Sequence, residues 1–212
     1  MTPEDVEILE NDVPFKGYYR IETYRLRHRL FAGGWSEPMR REVLERGHAA
    51  AVVLFDPDRD ELVLIEQFRI GALVALAAPC VTMERTPWLW EIVAGIIDDG
   101  EQPEEVARRE ALEEAGCEVR ELEFACQFLV TPGVCSESIT VYCGRVDASH
   151  VGGVHGLDHE HEDIRVSAVP SSEVFDWLDD GRFVNATAIV ALQWFRLRYK
   201  EFRRKWRGKD TP

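Results

Sequence analysis

Apolar positions in this chain fall into short runs divided by turn-forming clusters, and the first fifty residues read as strands. Residues 18–26, Tyr-Tyr-Arg-Ile-Glu-Thr-Tyr-Arg-Leu, are rich in aromatic and β-branched types, and Gly33-Gly34 supplies a turn into a second strand at residues 39–44. Residues 1–47 hold too few core-forming side chains to close a core alone, so they are expected to pair with something else. An apolar run at 49–55 ends in Asp56-Pro57-Asp58-Arg59-Asp60, and 62–67 follows, predicting a hairpin. Residues 71–87 read as a loop-like insertion with an Ala-rich, apolar middle. A short apolar strand at 88–94 is closed by Gly95. Strands at 124–130 and 139–146 flank the turn Thr131-Pro132-Gly133, a Gly- and His-containing loop covers 150–163, and 164–169 is a further strand. Helices are predicted at 103–115, 171–179 and 186–206. The mixture lacks a regular βαβ alternation, which points to an α+β sandwich rather than a doubly wound parallel sheet.

With 212 residues, 45% of them hydrophobic, the chain can bury a real core as one domain plus a smaller appended piece. No apolar run is long enough for a transmembrane helix, and the acidic N-terminus lacks the order of a signal peptide. The formal charge of −14 argues against wholesale nucleic-acid binding. The five cysteines form no CxxC pair, which fits inert thiols in a reducing cytoplasm.

The most informative stretch begins at Gly95. In the helix at 103–115, Pro103 suits the first turn, acids cluster at the start, and Gly116 suits the C-terminal cap. Glu110, Glu113 and Glu114 stand at i, i+3 and i+4 and share one face. Like charges so placed destabilise an isolated helix by a few tenths of a kcal/mol per pair, roughly. A hard divalent cation would offset that repulsion, because Mg²⁺ and Mn²⁺ prefer carboxylate oxygens. A solvated acidic face is the plainer reading of the helix taken alone.

The spacing around the helix decides between the two. Gly95, Glu101, Arg109, Glu110, Glu113, Glu114 and Gly116 fill every fixed position of the pattern G-x5-E-x7-R-E-U-x-E-E-x-G-U, in which U is aliphatic. This resembles the Nudix box, with Ala111 and Cys117 departing at the two loose positions. The segments at 25–31, 45–50, 55–60, 65–69, 87–89, 106–111, 162–166, 185–186 and 191–194 look like the bacterial ADP-ribose pyrophosphatases over nearly the whole chain. Pro132, 15 residues past the box, is a further mark of that class. The resemblance implies a Nudix α/β/α sandwich with a mixed sheet at 48–212, preceded by a small N-terminal antiparallel β domain at 1–47. It implies hydrolysis of ADP-ribose, a nucleoside diphosphate sugar, to AMP and ribose 5-phosphate with Mg²⁺, or Mn²⁺ or another divalent cation in its place.

The same resemblance implies the roles of particular residues. Glu110, Glu114, Glu162 and the main-chain carbonyl of Ala94 match the metal site, while Glu101, Arg109 and Glu113 match supporting residues. Glu160, in the loop at 155–163, matches the general base that takes a proton from the attacking water. His159 and His161 flank it as departures, either able to shift its pKa and attract a softer metal or simply part of a solvated His-rich loop. Tyr18 and Arg41 match residues that sandwich an adenine, and Glu42 one near its edge. Arg69 and Glu137 match residues that hold phosphate and terminal ribose, and Ile96 lies beside the ligand. Surface salt bridges are the plainer reading of both arginines. The N-terminal domain is expected to mediate a homodimer and to reach the partner's substrate site. Val134, Cys135 and a longer insertion at 71–87 depart from the family's pattern.

Two rival functions keep the fold. One is a Nudix hydrolase of another nucleoside diphosphate sugar, such as GDP-mannose. The other is a non-catalytic module that senses ADP-ribose; such modules usually lose box carboxylates, and this chain keeps them. Residues 196–210 carry a local charge of +6 beside an apolar side made by Phe195, Leu197, Tyr199, Phe202 and Trp206. A terminal amphipathic helix packed on the domain is favoured over a contact with an acidic surface or nucleic acid.

Overall fold

In the computed structural model, which describes residues 1–81, 86–157, 159 and 161–208, the chain divides into two units. The first comprises Met1–His48 and Leu129–Ser138. It is a three-stranded antiparallel sheet of β1 (Val6–Lys16), β2 (Arg20–His28) and β3 (Met39–Glu45), in that order. Strand β1 falls within the first fifty residues, which read as strands, although Val-Glu-Ile-Leu-Glu-Asn-Asp gave it no range of its own. Its acids are matched across the sheet: Glu7 pairs with Arg27 at 2.6 Å and Glu10 with Arg25 at 3.2 Å. Residues 129–138 join this unit rather than the second, docking on β3 through Leu44 N–H to Val134 O at 2.8 Å. Among the described residues, Cys135 is the unit's only buried apolar side chain, while Ile8, Phe15 and Phe31 lie exposed.

The second unit comprises Ala49–Phe128 and Ile139–Pro212. Its strands are β4 (Ala49–Asp56), β5 (Glu61–Phe68), β6 (Trp88–Glu91), β7 (Val93–Ile96), β8 (Glu121–Leu129), β9 (Ser138–Arg145), β10 (Gly153–His155) and β11 (Ile164–Pro170). They form one sheet in the order β10-β11-β5-β4-β9-β8, with β6 on β5 and β7 on β4. The sheet is mixed: β4 runs parallel to β9 and antiparallel to β5. Strand β4 is buried along its whole length, which explains its unbroken apolar run.

The helices are α1 (Ile70–Leu76), α2 (Pro103–Ala115), α3 (Ser171–Asp179) and α4 (Ala186–Trp206). Val52 and Leu54 on β4 pack in one cluster with Val106, Ala107 and Ala111 of α2. On the alternate position, Phe55 meets Phe195 and Tyr199 of α4 at ring distances of 5.1 and 6.0 Å. The basic end of α4 buries Phe202 and Trp206 and pairs Arg196 with Asp179, Arg203 with Asp60 and Lys205 with Glu123. No helix among the described residues is long and apolar enough to cross a membrane.

Three local expectations are corrected. The strand expected at 88–94 is two strands. Strands β4 and β5 pair only between 54–56 and 61–63, then part; β6 follows β5 as far as Ile65 opposite Glu91, and β7 crosses to β4 at Val52 opposite Val93. This fork holds 88–96 against both strands, which a linear pattern does not reveal. The insertion begins with the two turns of α1, and the loop after β9 contains β10, held on β11.

Candidate active site

Helix α2 is defined by its ends. Gln102 precedes it with a capping box, Glu105 accepting the Gln102 N–H at 3.0 Å, and Gly116 closes it at φ 63°. A Cβ at Gly116 would also lie 2.8 Å from the His155 ring. Gly95 is required for a different reason. A Cβ there would fall 1.7 Å from Oε1 of Glu110, so the missing side chain is what lets that carboxylate lie against the turn after β7.

Four residues of the box are joined by one guanidinium. Arg109 Nη1 donates to Glu110 at 2.7 Å and to Glu113 at 3.0 Å, while Nε and Nη2 reach Glu101 at 3.1 and 3.2 Å. Nη2 also approaches the Ile96 carbonyl at 3.5 Å. Burial works against the Arg109 charge, but these carboxylates more than offset it and raise its pKa. Glu101 is held below the usual range by Arg109 and by the Asp98 N–H. The acid expected to be a simple support thus fixes the loop as well as the arginine.

Glu114 differs from its neighbours in being 3% exposed. Its Oε2 accepts the Ala94 N–H at 3.1 Å, tying α2 to β7. Burial pushes its pKa up to about 8, with the charges of Glu110 and then Glu162 adding and the Ala94 N–H opposing. Burial likewise raises Glu110. Glu162 is held by its own loop, its Oε2 accepting the Leu157 N–H at 3.1 Å, and Gly156 (φ 104°) leaves room where a Cβ would stand 2.6 Å from Glu162 Cβ. These are hard oxygen donors, one of them a buried carboxyl that accepts the Ala94 N–H, and they suit a hard divalent cation. Among the described residues no group of three or more His, Cys, Asp or Glu side chains already stands as a metal cage. His159 and His161 are exposed.

Arg69 lies in the same field. Burial lowers its pKa, yet hydrogen bonding to Glu91 and the charges of Glu91, Glu114 and Glu162 raise it overall. Glu91 was not expected. A lone carboxylate in Trp-Leu-Trp-Glu-Ile-Val was its only signal, since such a residue is buried only with partners. Asn185 also gains a place: its Oδ1 caps α4 through Thr187 and Ala188, and its Nδ2 donates to Glu91 at 2.9 Å.

The remaining expected residues belong to the first unit. Tyr18 is 85% exposed in the β1–β2 turn, its ring 4.8 Å from that of Tyr19. Arg41 and Glu42 are consecutive on β3, opposite Tyr24 and Thr23. Glu137 is buried, which raises its pKa, and Arg46 opposes that rise from 3.4 Å. Glu160 lies outside the described residues. The buried thiols of Cys117 and Cys143 are both pushed upward by burial, Cys117 to about 11, as expected of inert cysteines.

The family model for the NUDIX domain matches residues 45–191. An ADP-ribose pyrophosphatase of Escherichia coli (strain K12) is 45% identical over 202 residues, spanning 95% of this chain and 93% of that protein. A GDP-mannose pyrophosphatase of Cronobacter sakazakii is 32% identical over 200 residues, spanning 92% of this chain and 96% of that protein. A solved structure of an ADP compounds hydrolase superposes with a TM-score of 0.69 at 20% identity, covering 96% of this chain and 99% of that one.

Proposed function

The chain belongs to the NUDIX family, and on that premise we propose that it hydrolyses ADP-ribose to AMP and ribose 5-phosphate. The observation that carries this reading is the 45% identity to an ADP-ribose pyrophosphatase along 95% of the chain. The box geometry agrees with it: Arg109 bonds Glu101, Glu110 and Glu113, Gly95 leaves room for Glu110, and Glu114 is buried against Ala94, so the acids are not spread on a solvated face. That arrangement also argues against a non-catalytic sensor.

Water attacks one phosphorus of the diphosphate and the sugar phosphate or nucleotide leaves. We assign Glu110, Glu114, Glu162 and the Ala94 carbonyl to a divalent cation, with Mg²⁺ as the ion. Bound there, it would neutralise charge growing on the diphosphate oxygens. Arg109 keeps Glu110 and Glu113 in place, and Arg69 supplies a fixed positive charge to the substrate anion. Glu160 is assigned as the base that accepts the proton of the attacking water. Tyr18, Arg41, Glu42, Glu137 and Ile96 are assigned to the nucleoside and ribose ends.

A homodimer with exchanged N-terminal strands completes the reading. It is supported by the first unit's lack of a core and by the apolar side chains it leaves uncovered. The free cysteines support a cytoplasmic location.

A substrate panel with purified protein and Mg²⁺, resolved by chromatography of the nucleotide product, tests the activity. AMP from ADP-ribose is expected at the highest specificity constant. A far higher value for GDP-mannose, the substrate named for the 32% identical relative, would move the assignment to that sugar. Glu160→Gln is expected to abolish turnover while metal binding persists; near-normal turnover removes Glu160 as the base. Light scattering that finds a fully active monomer would sink the exchanged dimer.

A further inference from the structure

Glu91 is the end residue of β6 and is 3% exposed. Its two oxygens are filled from three directions. Arg69 donates from Nε at 3.2 and 3.1 Å and from Nη2 at 2.7 Å, Asn185 Nδ2 donates at 2.9 Å, and Gln67 Nε2 approaches at 3.5 Å. Each partner is anchored separately. Gln67 sits in the β5–β6 ladder, Asn185 is oriented by its cap on α4, and the Arg69 N–H bonds the Pro87 carbonyl at 2.8 Å. The carboxylate is therefore held in one place by the framework of the sheet.

Arg69 is not consumed by this pair. Its side chain is 44% exposed, and the bonds to Glu91 use Nε and Nη2, leaving both N–H groups of Nη1 without a partner among the described residues. A buried ion pair is poor evidence for stability, because apolar residues of similar size serve a core as well or better. Orientation of the arginine is what the carboxylate adds.

We propose that Glu91 is a positioning residue for the hydrolytic reaction, gripping one edge of the Arg69 guanidinium so that its Nη1 end is fixed for the substrate diphosphate. This rests on the assignment of Arg69 to the substrate anion. Without the grip, the arginine keeps its charge and its place in the chain but samples other rotamers, and substrate affinity falls.

The test is a double-mutant cycle on the full-length protein with Mg²⁺, using the nucleoside diphosphate sugar that the wild type hydrolyses best. The proteins are wild type, Glu91→Gln, Arg69→Ala and the pair, with Glu91→Leu as the second variant should the amide disturb folding. Glu91→Gln is expected to raise KM by about tenfold with a far smaller change in kcat, and to change nothing further once Arg69 is alanine. An equal KM increase in both backgrounds would mean a structural role and overturns the proposal. So does an unchanged KM in Glu91→Gln, or in Arg69→Ala. A wild type that prefers GDP-mannose would change the substrate assignment, and the cycle run on that sugar would still decide the role of Glu91.

Discussion

Replacing Glu114 by Gln isolates what the buried carboxylate costs the metal-free protein. In the unfolded chain this group titrates near its ordinary 4.5, and in the fold it is pushed up to about 8. The folded form therefore binds more protons between those values, so stability must fall as pH rises through the window. At pH 7 the penalty is about 3 kcal/mol and at pH 5 below about 1 kcal/mol, each pKa unit being worth ~1.36 kcal/mol. Glutamine has no proton to lose and resembles the protonated acid that the fold prefers. In EDTA, the stability of Glu114→Gln relative to wild type should grow by roughly 2–3 kcal/mol between pH 5 and pH 7. For a chain of this size that is a relative Tm gain of roughly 5–10 °C. Mg²⁺ should reverse the order, stabilising wild type and doing so more strongly at higher pH, because the cation displaces the proton. Thermal melts over pH 5–8, with EDTA or MgCl₂, provide the readout. Parallel pH profiles in EDTA would refute the buried-acid argument, and an equal Mg²⁺ gain in both proteins would refute Glu114 as a ligand.

Three other outcomes are expected. Gly95→Ala puts a methyl 1.7 Å from the present position of Glu110 Oε1, and steady-state kinetics should show turnover lowered ~100-fold with circular dichroism unchanged; retained activity would mean that Glu110 need not lie against the turn. Arg109→Lys cannot span Glu101, Glu110 and Glu113, so calorimetry should find Mg²⁺ affinity lowered about tenfold. Tyr199→Phe removes the hydroxyl that reaches Asp60 at 2.5 and 2.7 Å, and urea unfolding should register a loss of about 1–3 kcal/mol while kcat/KM stays at the wild-type value.

What could be read without coordinates was what local spacing determines. The ends of α2 follow from Pro103 and Gly116, and the burial of β4 from its apolar run. What could not be read depends on partners far along the chain. The pairing of β1 with β2 sets Glu7 and Glu10 against arginines 20 and 15 residues away, and 88–96 divides because β4 and β5 part at a point set by the sheet. Glu91 is the clearest case. Its meaning lies in Arg69 and Asn185, 22 and 94 residues distant, and nothing in its own neighbourhood identifies either.

The bond from the Arg69 N–H to the Pro87 carbonyl has an evolutionary consequence. It joins the two ends of the intervening segment beside the sheet, so the segment leaves and returns through one closed neck. Chain-closure entropy rises only logarithmically with length, about 0.6 kcal/mol for each doubling. The neck is thus a port through which this scaffold can acquire new sequence without redrawing its sheet. Because Arg69 forms one side of the neck, whatever is spliced there is tethered one residue from the cation assigned to the substrate anion. A reporter or a regulatory module grafted at this port would sense the site directly.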